Sequence, residues 1–311
     1  MTPDSARFEQ WLRRLPAFAD ARVGSLRPVE GGASNLTCRV AIEGGALPAL
    51  ALRVQRDEGI FAPYDVLREA KVLRRLAAST IPVPSVVGVE PDPSVLGAPF
   101  VVLEWLDAPH MGIAGREASF EAYTAMVARI HNLDWQALGL DFLGVPASPV
   151  DATLAELDRV AARMTRFACE RDPLLSEALD VLRVRVPSDG RLALCQGDIN
   201  VFNYLFRAGE VVGVVDWEQA HIGDPRSDVG QLLALSHLKG APFAPPESMP
   251  FVLAYEAASG APLPGMEYFR ARWLFELGVI YHGWKAFNDS DPWYTLDRLS
   301  ELLEAALSEL D

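Results

Sequence analysis

The sequence predicts an α+β fold in two parts: a small lobe built on an antiparallel sheet, then a larger and mainly helical lobe. Three observations predict it. Strand-like alternation is concentrated in the first third of the chain, and helical periodicity dominates after Trp105. A short island of β character, Leu192 to Val215, interrupts the helical stretches. The first lobe is placed at residues 1–104 and the second at 105–311, with a connector near Glu104 to Asp107.

The elements follow in order. Val23 to Glu30 alternates apolar and polar residues and runs into Gly31-Gly32. Leu36 to Ile42 is rich in β-formers, and Glu43-Gly44-Gly45 supplies a turn before a third strand, Ala49 to Val54. Asp65 to Leu76 has helical spacing, with Val66, Ala70, Leu73 and Leu76 on one face, and Pro82 and Pro84 end that segment. Val86 to Val89 and Phe100 to Leu103 complete the sheet. Helical patterns then cover Phe120 to Leu133, Thr153 to Ala168 and Leu174 to Val184, and resume at Asp228 to Leu238, Pro250 to Ala258, Met266 to Phe287 and Leu296 to Leu310.

Composition limits the function classes. The 311 residues, 50% of them hydrophobic, can fill two cores. A net charge of −14 with no basic block argues against nucleic acid and anionic membrane surfaces as partners. Cys38, Cys169 and Cys195 are widely spaced and odd in number, which points to a reducing, cytoplasmic setting. The first fifteen residues read as a polar amphipathic helix without the apolar core of a signal peptide. No run approaches about 18 apolar residues, so no membrane span is expected.

The chemistry is concentrated in the island. It reads Cys195-Gln196-Gly197-Asp198-Ile199-Asn200-Val201-Phe202-Asn203, then Val214-Val215-Asp216-Trp217-Glu218. Tyr204 to Phe206 and Val211 to Val215 flank a Gly-containing turn, Arg207 to Glu210, so they form a hairpin. Asn203 precedes one strand and Asp216 follows its partner, which brings an amide oxygen and a carboxylate side by side. Such a pair suits Mg²⁺. Asp198 lies five positions before Asn203, on the loop leading in, where it can face a substrate hydroxyl. One base and two metal ligands are the set that phosphoryl transfer requires. Glu218 is either a further metal contact or a surface acid. Asp224 before Pro225 reads as a turn residue and Asp228 as a helix cap. His131 and His221 lack ligand spacing and are assigned to no metal.

These motifs resemble the aminoglycoside phosphotransferase-like superfamily, small-molecule kinases of the protein-kinase-like fold. The resemblance covers nearly the whole chain and is nearest to kinase-like domains attached to acyl-CoA dehydrogenases. Gly31-Gly32-Ala33-Ser34-Asn35-Leu36-Thr37, Val83-Pro84, Pro99-Phe100-Val101-Val102 and Asp216-Trp217-Glu218 through Gly223-Asp224-Pro225 carry it. It implies that Asp198 is the catalytic base and that Asn203 and Asp216 hold Mg²⁺. It further implies that Gly31, Gly32, Ser34 and Asn35 lie over the nucleotide phosphates, and that the backbone of Glu104, Trp105 and Leu106 takes the adenine. ATP is the implied donor, with GTP as the alternative.

Two positions depart from the family pattern. Gln196 stands where His is usual; its amide can bond backbone but cannot carry charge. Arg53 stands where the third strand usually carries a Lys, with Glu69 as its expected helix partner. Arginine keeps the charge and can bind phosphate with a fork.

The reading is an ATP-dependent O-phosphotransferase acting on a hydroxylated small molecule. Met266 to Phe287 carries Tyr268, Trp273, Phe275, Tyr281 and Trp284 with only Glu267 and Glu276 as acids. Such aromatics are more often core than ligand platform; an acceptor wall built from them is aromatic, which suits a hydroxy acid or hydroxyacyl thioester better than a polyamine sugar. The alternatives are a nucleotide-binding pseudokinase without turnover, an aminoglycoside-type antibiotic kinase, and an unrelated metal-dependent hydrolase. A protein-kinase role is disfavoured, because Gly197 replaces the arginine that reads a phosphorylated activation loop in many protein kinases.

Overall fold

The computed structural model describes residues 3–29, 34–111, 116–238 and 248–310. The chain is α+β and divides into two compact units, Met1–Asp107 and Ala108–Asp311.

The first unit is a five-stranded antiparallel sheet in the order β1-β2-β3-β5-β4. Its strands are β1 (Arg22–Pro28), β2 (Leu36–Glu43), β3 (Ala49–Val54), β4 (Val86–Glu90) and β5 (Phe100–Glu104). Alternation in β2 buries Cys38, Val40 and Ile42, and these join Leu50 and Leu52 in the core. Helix α1 (Ser5–Leu12) contributes Phe8, Trp11 and Leu12 to that core. Asp4 caps α1 by accepting from the amides of Ala6 and Arg7, and the Trp11 indole donates to Glu90 at 2.8 Å. Helix α2 (Val66–Leu76) starts at Asp65, whose carboxylate accepts from Arg68 N.

The second unit contains α3 (Arg116–His131), α4 (Pro149–Arg166) and α5 (Pro173–Val184), then α6 (Pro225–His237), α7 (Ser248–Ser259), α8 (Met266–Phe287) and α9 (Leu296–Ser308). Two small sheets separate α5 from α6. One pairs β6 (Ala193–Cys195) with β9 (His221–Gly223), and the other pairs β7 (Tyr204–Arg207) with β8 (Glu210–Val214). The hairpin turn holds Ala208 and Gly209 at φ 51° and 84°, the double left-handed geometry that two-residue hairpins favour.

Three sequence expectations need correction. Helix α6 begins at Pro225, three residues earlier than its periodicity implied. Asp224 is its cap, accepting from Arg226 N, and Pro225 occupies the first turn, where no amide is needed. Asp228 is therefore no cap, and its side chain serves the island described below. Helix α4 likewise starts at Pro149, capped by Ser148. The aromatics of α8 are largely core, their more common role, rather than an acceptor wall. Tyr268 and Phe275 are buried, with the Tyr268 hydroxyl donating to Leu182 O and the buried Trp273 donating to Ser227 O. Near its C-terminal end Tyr281 and Trp284 are half-exposed and Phe287 is exposed.

Among the described residues, no helix is long and apolar enough to cross a membrane.

Candidate active site

Strand β6 delivers the chain into the loop 196–200, and α6 holds that loop from behind. Asp228 accepts from Gln196 N at 2.8 Å and from Gly197 N at 3.1 Å, one amide on each oxygen. Gly197 has φ +83°, and a Cβ there would lie 2.6 Å from Gln219 O, so the turn requires glycine. Gln231, one turn beyond Asp228, accepts from Ile199 N at 2.9 Å. The Tyr123 hydroxyl donates to Ile199 O from α3.

This scaffold sets Asp198. Gln231 Nε2 donates to its Oδ1 at 2.9 Å, while Asn200 Nδ2 and Asn203 Nδ2 donate to its Oδ2 at 2.7 and 3.1 Å. Asn203 Nδ2 also reaches Asp198 O at 2.9 Å. Asp198 is half-buried. Burial, and next the charge of Asp216, push its carboxyl up to about 6 against the three amide donors. The carboxylate is thus poised closer to neutrality than a surface aspartate.

The hairpin brings Asn203 and Asp216 together. Val215 N donates to Asn203 O at 2.9 Å, so Asp216 follows directly on the residue bonded to Asn203. Asp216 adopts φ 61°, which a non-glycine residue seldom does. Trp217, fully buried, bonds Val214 O through its indole at 3.0 Å and fixes the chain just beyond it. Because the Asn203 amide nitrogen is spent on Asp198, its Oδ1 is the end left to face a cation. An amide oxygen and a carboxylate are hard oxygen donors, so the residues present fit Mg²⁺.

Gln196 is wholly buried and is bonded at both ends of its amide. Its Nε2 donates to Val215 O at 2.8 Å and its Oε1 accepts from Tyr204 OH at 2.7 Å. Both contacts end beside the expected metal ligands.

In the first unit the structure joins Arg53 to Glu69, with Nε 3.2 Å from Oε2 and both side chains buried. Asn35 is buried and accepts from Arg56 N, and Ser34 is buried beside it. Gly31 and Gly32 lie outside the described residues. The amides of Glu104 and Trp105 are bonded to Ser85 O and Ala49 O, which leaves Leu106 as the amide of that trio not used in those bonds.

The sequence reading missed Gln231, Tyr123 and Tyr204, whose partners lie 33, 76 and 8 positions away. It also missed the buried link in which His131 faces Tyr255 OH at 2.7 Å and Asp228 at 3.1 Å. His131, Cys195 and Asp228 place ligand-type atoms within 4.8 Å of one another. Asp228 accepts from two backbone amides of the loop and faces His131, so this cluster reads as support for the loop rather than a metal site.

A model of the phosphotransferase enzyme family matches residues 25–272, and the chain belongs to that family. It is 25% identical over 285 residues to mouse acyl-CoA dehydrogenase family member 10, covering 87% of this chain and 25% of that protein, so the chain spans a quarter of that relative's length. A Ralstonia eutropha protein assigned to the aminoglycoside phosphotransferases superposes with a TM-score of 0.75 at 21% identity, over 99% of each chain. A thermostable aminoglycoside phosphotransferase APH(4)-Ia, solved with ADP and hygromycin B, superposes with a TM-score of 0.62 at 16% identity, over 96% of this chain and 97% of its own. At these identities the two structures establish the shared fold.

Proposed function

We propose that this protein transfers the γ-phosphoryl group of ATP to a hydroxyl of a small molecule. The observation that carries the reading is Asp198. It is a carboxylate gripped through both oxygens, on a loop fastened to α6, directly beside the Asn203 and Asp216 pair. Asp198 orients the acceptor hydroxyl and takes its proton as the oxygen attacks. Asn203 Oδ1 and the Asp216 carboxylate are the groups that would hold Mg²⁺. When bound there, the ion supplies positive charge against the nucleotide phosphates. Arg53, positioned by Glu69, is the cation proposed to offset further phosphate charge, and Ser34 and Asn35 are proposed as phosphate contacts. Leu106 N is the backbone donor proposed for adenine.

The acceptor class we favour is a hydroxy acid or its thioester. What supports it is the similarity to a protein named as an acyl-CoA dehydrogenase family member. The exposed acids Glu301 and Glu304 lie on the solvent side of α9, opposite the buried Leu299 and Leu303, and exposed Glu309 is its C-cap. The test is a paired panel with MgATP and MgGTP: aminoglycosides against hydroxy acids and hydroxyacyl thioesters, scored by acceptor-dependent ADP or GDP release and product mass. Phosphorylated hydroxy acids or thioesters are expected. Phosphorylation of aminoglycosides alone would overturn the acceptor class, and nucleotide binding without turnover on any acceptor would overturn the transferase.

A further inference from the structure

We propose that Gln231 is the positioning residue for the base, setting the carboxylate plane of Asp198 through a direct hydrogen bond; this rests on Asp198 being the base. Ile199 N can only donate, so the 2.9 Å contact to Gln231 fixes Oε1 on that side. The amide is planar, so Nε2 is turned toward Asp198 Oδ1, 2.9 Å away. The orientation of the glutamine is therefore determined by the backbone.

The terminal torsion of an aspartate is broad and nearly two-fold, so a carboxylate bonded through one oxygen can swing. Here Oδ2 is held by Asn200 and Asn203, both from the loop itself. Gln231 holds Oδ1 from α6, whose first turns are buried. The same helix fastens Gln196 and Gly197 through Asp228. Asp228 and Gln231 thus divide the work: the first fixes the loop backbone, and the second carries that fixity to the reacting carboxylate. A base must be held to within about half an ångström and 20° of its working geometry, and a contact from a rigid helix supplies that.

The experiment uses the full chain. Turnover is read as ADP released from MgATP with water as acceptor in long incubations, and binding is read with Mg–AMP-PNP. Gln231→Leu should lower kcat by about tenfold or more, with the Kd for Mg–AMP-PNP and the KM for MgATP unchanged within about twofold. Gln231→Glu keeps an oxygen for Ile199 N but sets a second carboxylate against Asp198 Oδ1 in place of the donor, so its kcat should fall at least as far. In an Asp198→Asn background either change should alter kcat by less than about twofold, because the residue acts through Asp198. Wild-type kcat in Gln231→Glu would overturn the proposal, as would losses that persist undiminished beside Asp198→Asn. Nucleotide affinity falling in step with kcat would reduce Gln231 to a structural part. If Gln231→Leu does not fold, Gln231→Glu and the double variant decide. Asp198→Asn with wild-type turnover is a separate result, which removes the base and this proposal with it.

Discussion

Gln196 Nε2 lies 2.8 Å from Val215 O, so the residue two before the proposed base is tied to the residue one before Asp216. Its other end takes the Tyr204 hydroxyl, next to Asn203. The bridge is uncharged, buried and complete at both ends. Gln196→Ala leaves a buried carbonyl and hydroxyl without these partners, a loss of about 1–3 kcal/mol. A lower Tm and a weaker magnesium dependence of nucleotide binding are expected, measured by thermal shift across a magnesium titration. Wild-type values for both would show that the bridge is dispensable.

Asp216→Ala should abolish magnesium-dependent stabilisation by nucleotide while the apo protein remains folded. Calorimetry with Mg–AMP-PNP and circular dichroism give the two readouts. The same magnesium dependence in the variant would remove Asp216 from the metal site.

Arg53→Lys keeps the cation beside Glu69 but loses the guanidinium fork. Its affinity for Mg–AMP-PNP should fall by a few-fold, and that of Arg53→Ala by at least about tenfold, about 1.4 kcal/mol. Equal affinities for wild type and Arg53→Ala would restrict Arg53 to structure.

Glu156 offers a pH test away from the site. Burial alone would raise its carboxyl, but Arg272, with His221 and Arg159, more than offsets that and holds it well below the usual carboxylate range. Its contacts agree: Arg272 Nη2 lies 3.0 Å away, and Ser227 Oγ donates at 2.7 Å. A depressed folded pKa contributes stability that is present above the ordinary value near 4.5 and is lost as pH falls through the folded pKa. Glu156→Gln should therefore be destabilised by about 3–5 kcal/mol at pH 7. The gap should narrow as pH drops below about 4.5 in denaturant titrations. A gap independent of pH would contradict the assignment.

The sequence disclosed whatever is local. Strand alternation and turn glycines placed β1 to β3 and the β7–β8 hairpin within a residue or two. The Asp198, Asn203 and Asp216 spacing identified the loop and its hairpin. The Arg53–Glu69 pairing was legible because the family pattern named both positions. Gln231 was not, since its partner lies 33 positions away and no periodicity links a helix residue to a loop carboxylate. The start of α6 was misplaced because Pro225 reads as a breaker, yet it fits the first turn once Asp224 caps it. For the aromatics of α8 the core reading holds at Tyr268, Trp273 and Phe275. A helix apolar around most of its circumference is a buried one, and aromatic content alone cannot distinguish a core from a ligand wall.

Everything in the reading depends on Asp198, and Asp198→Asn tests it most directly. The substitution keeps the shape and removes the base. Turnover should fall by roughly 10²–10⁴ while the Kd for Mg–AMP-PNP stays near wild type. Turnover equal to wild type would contradict the account.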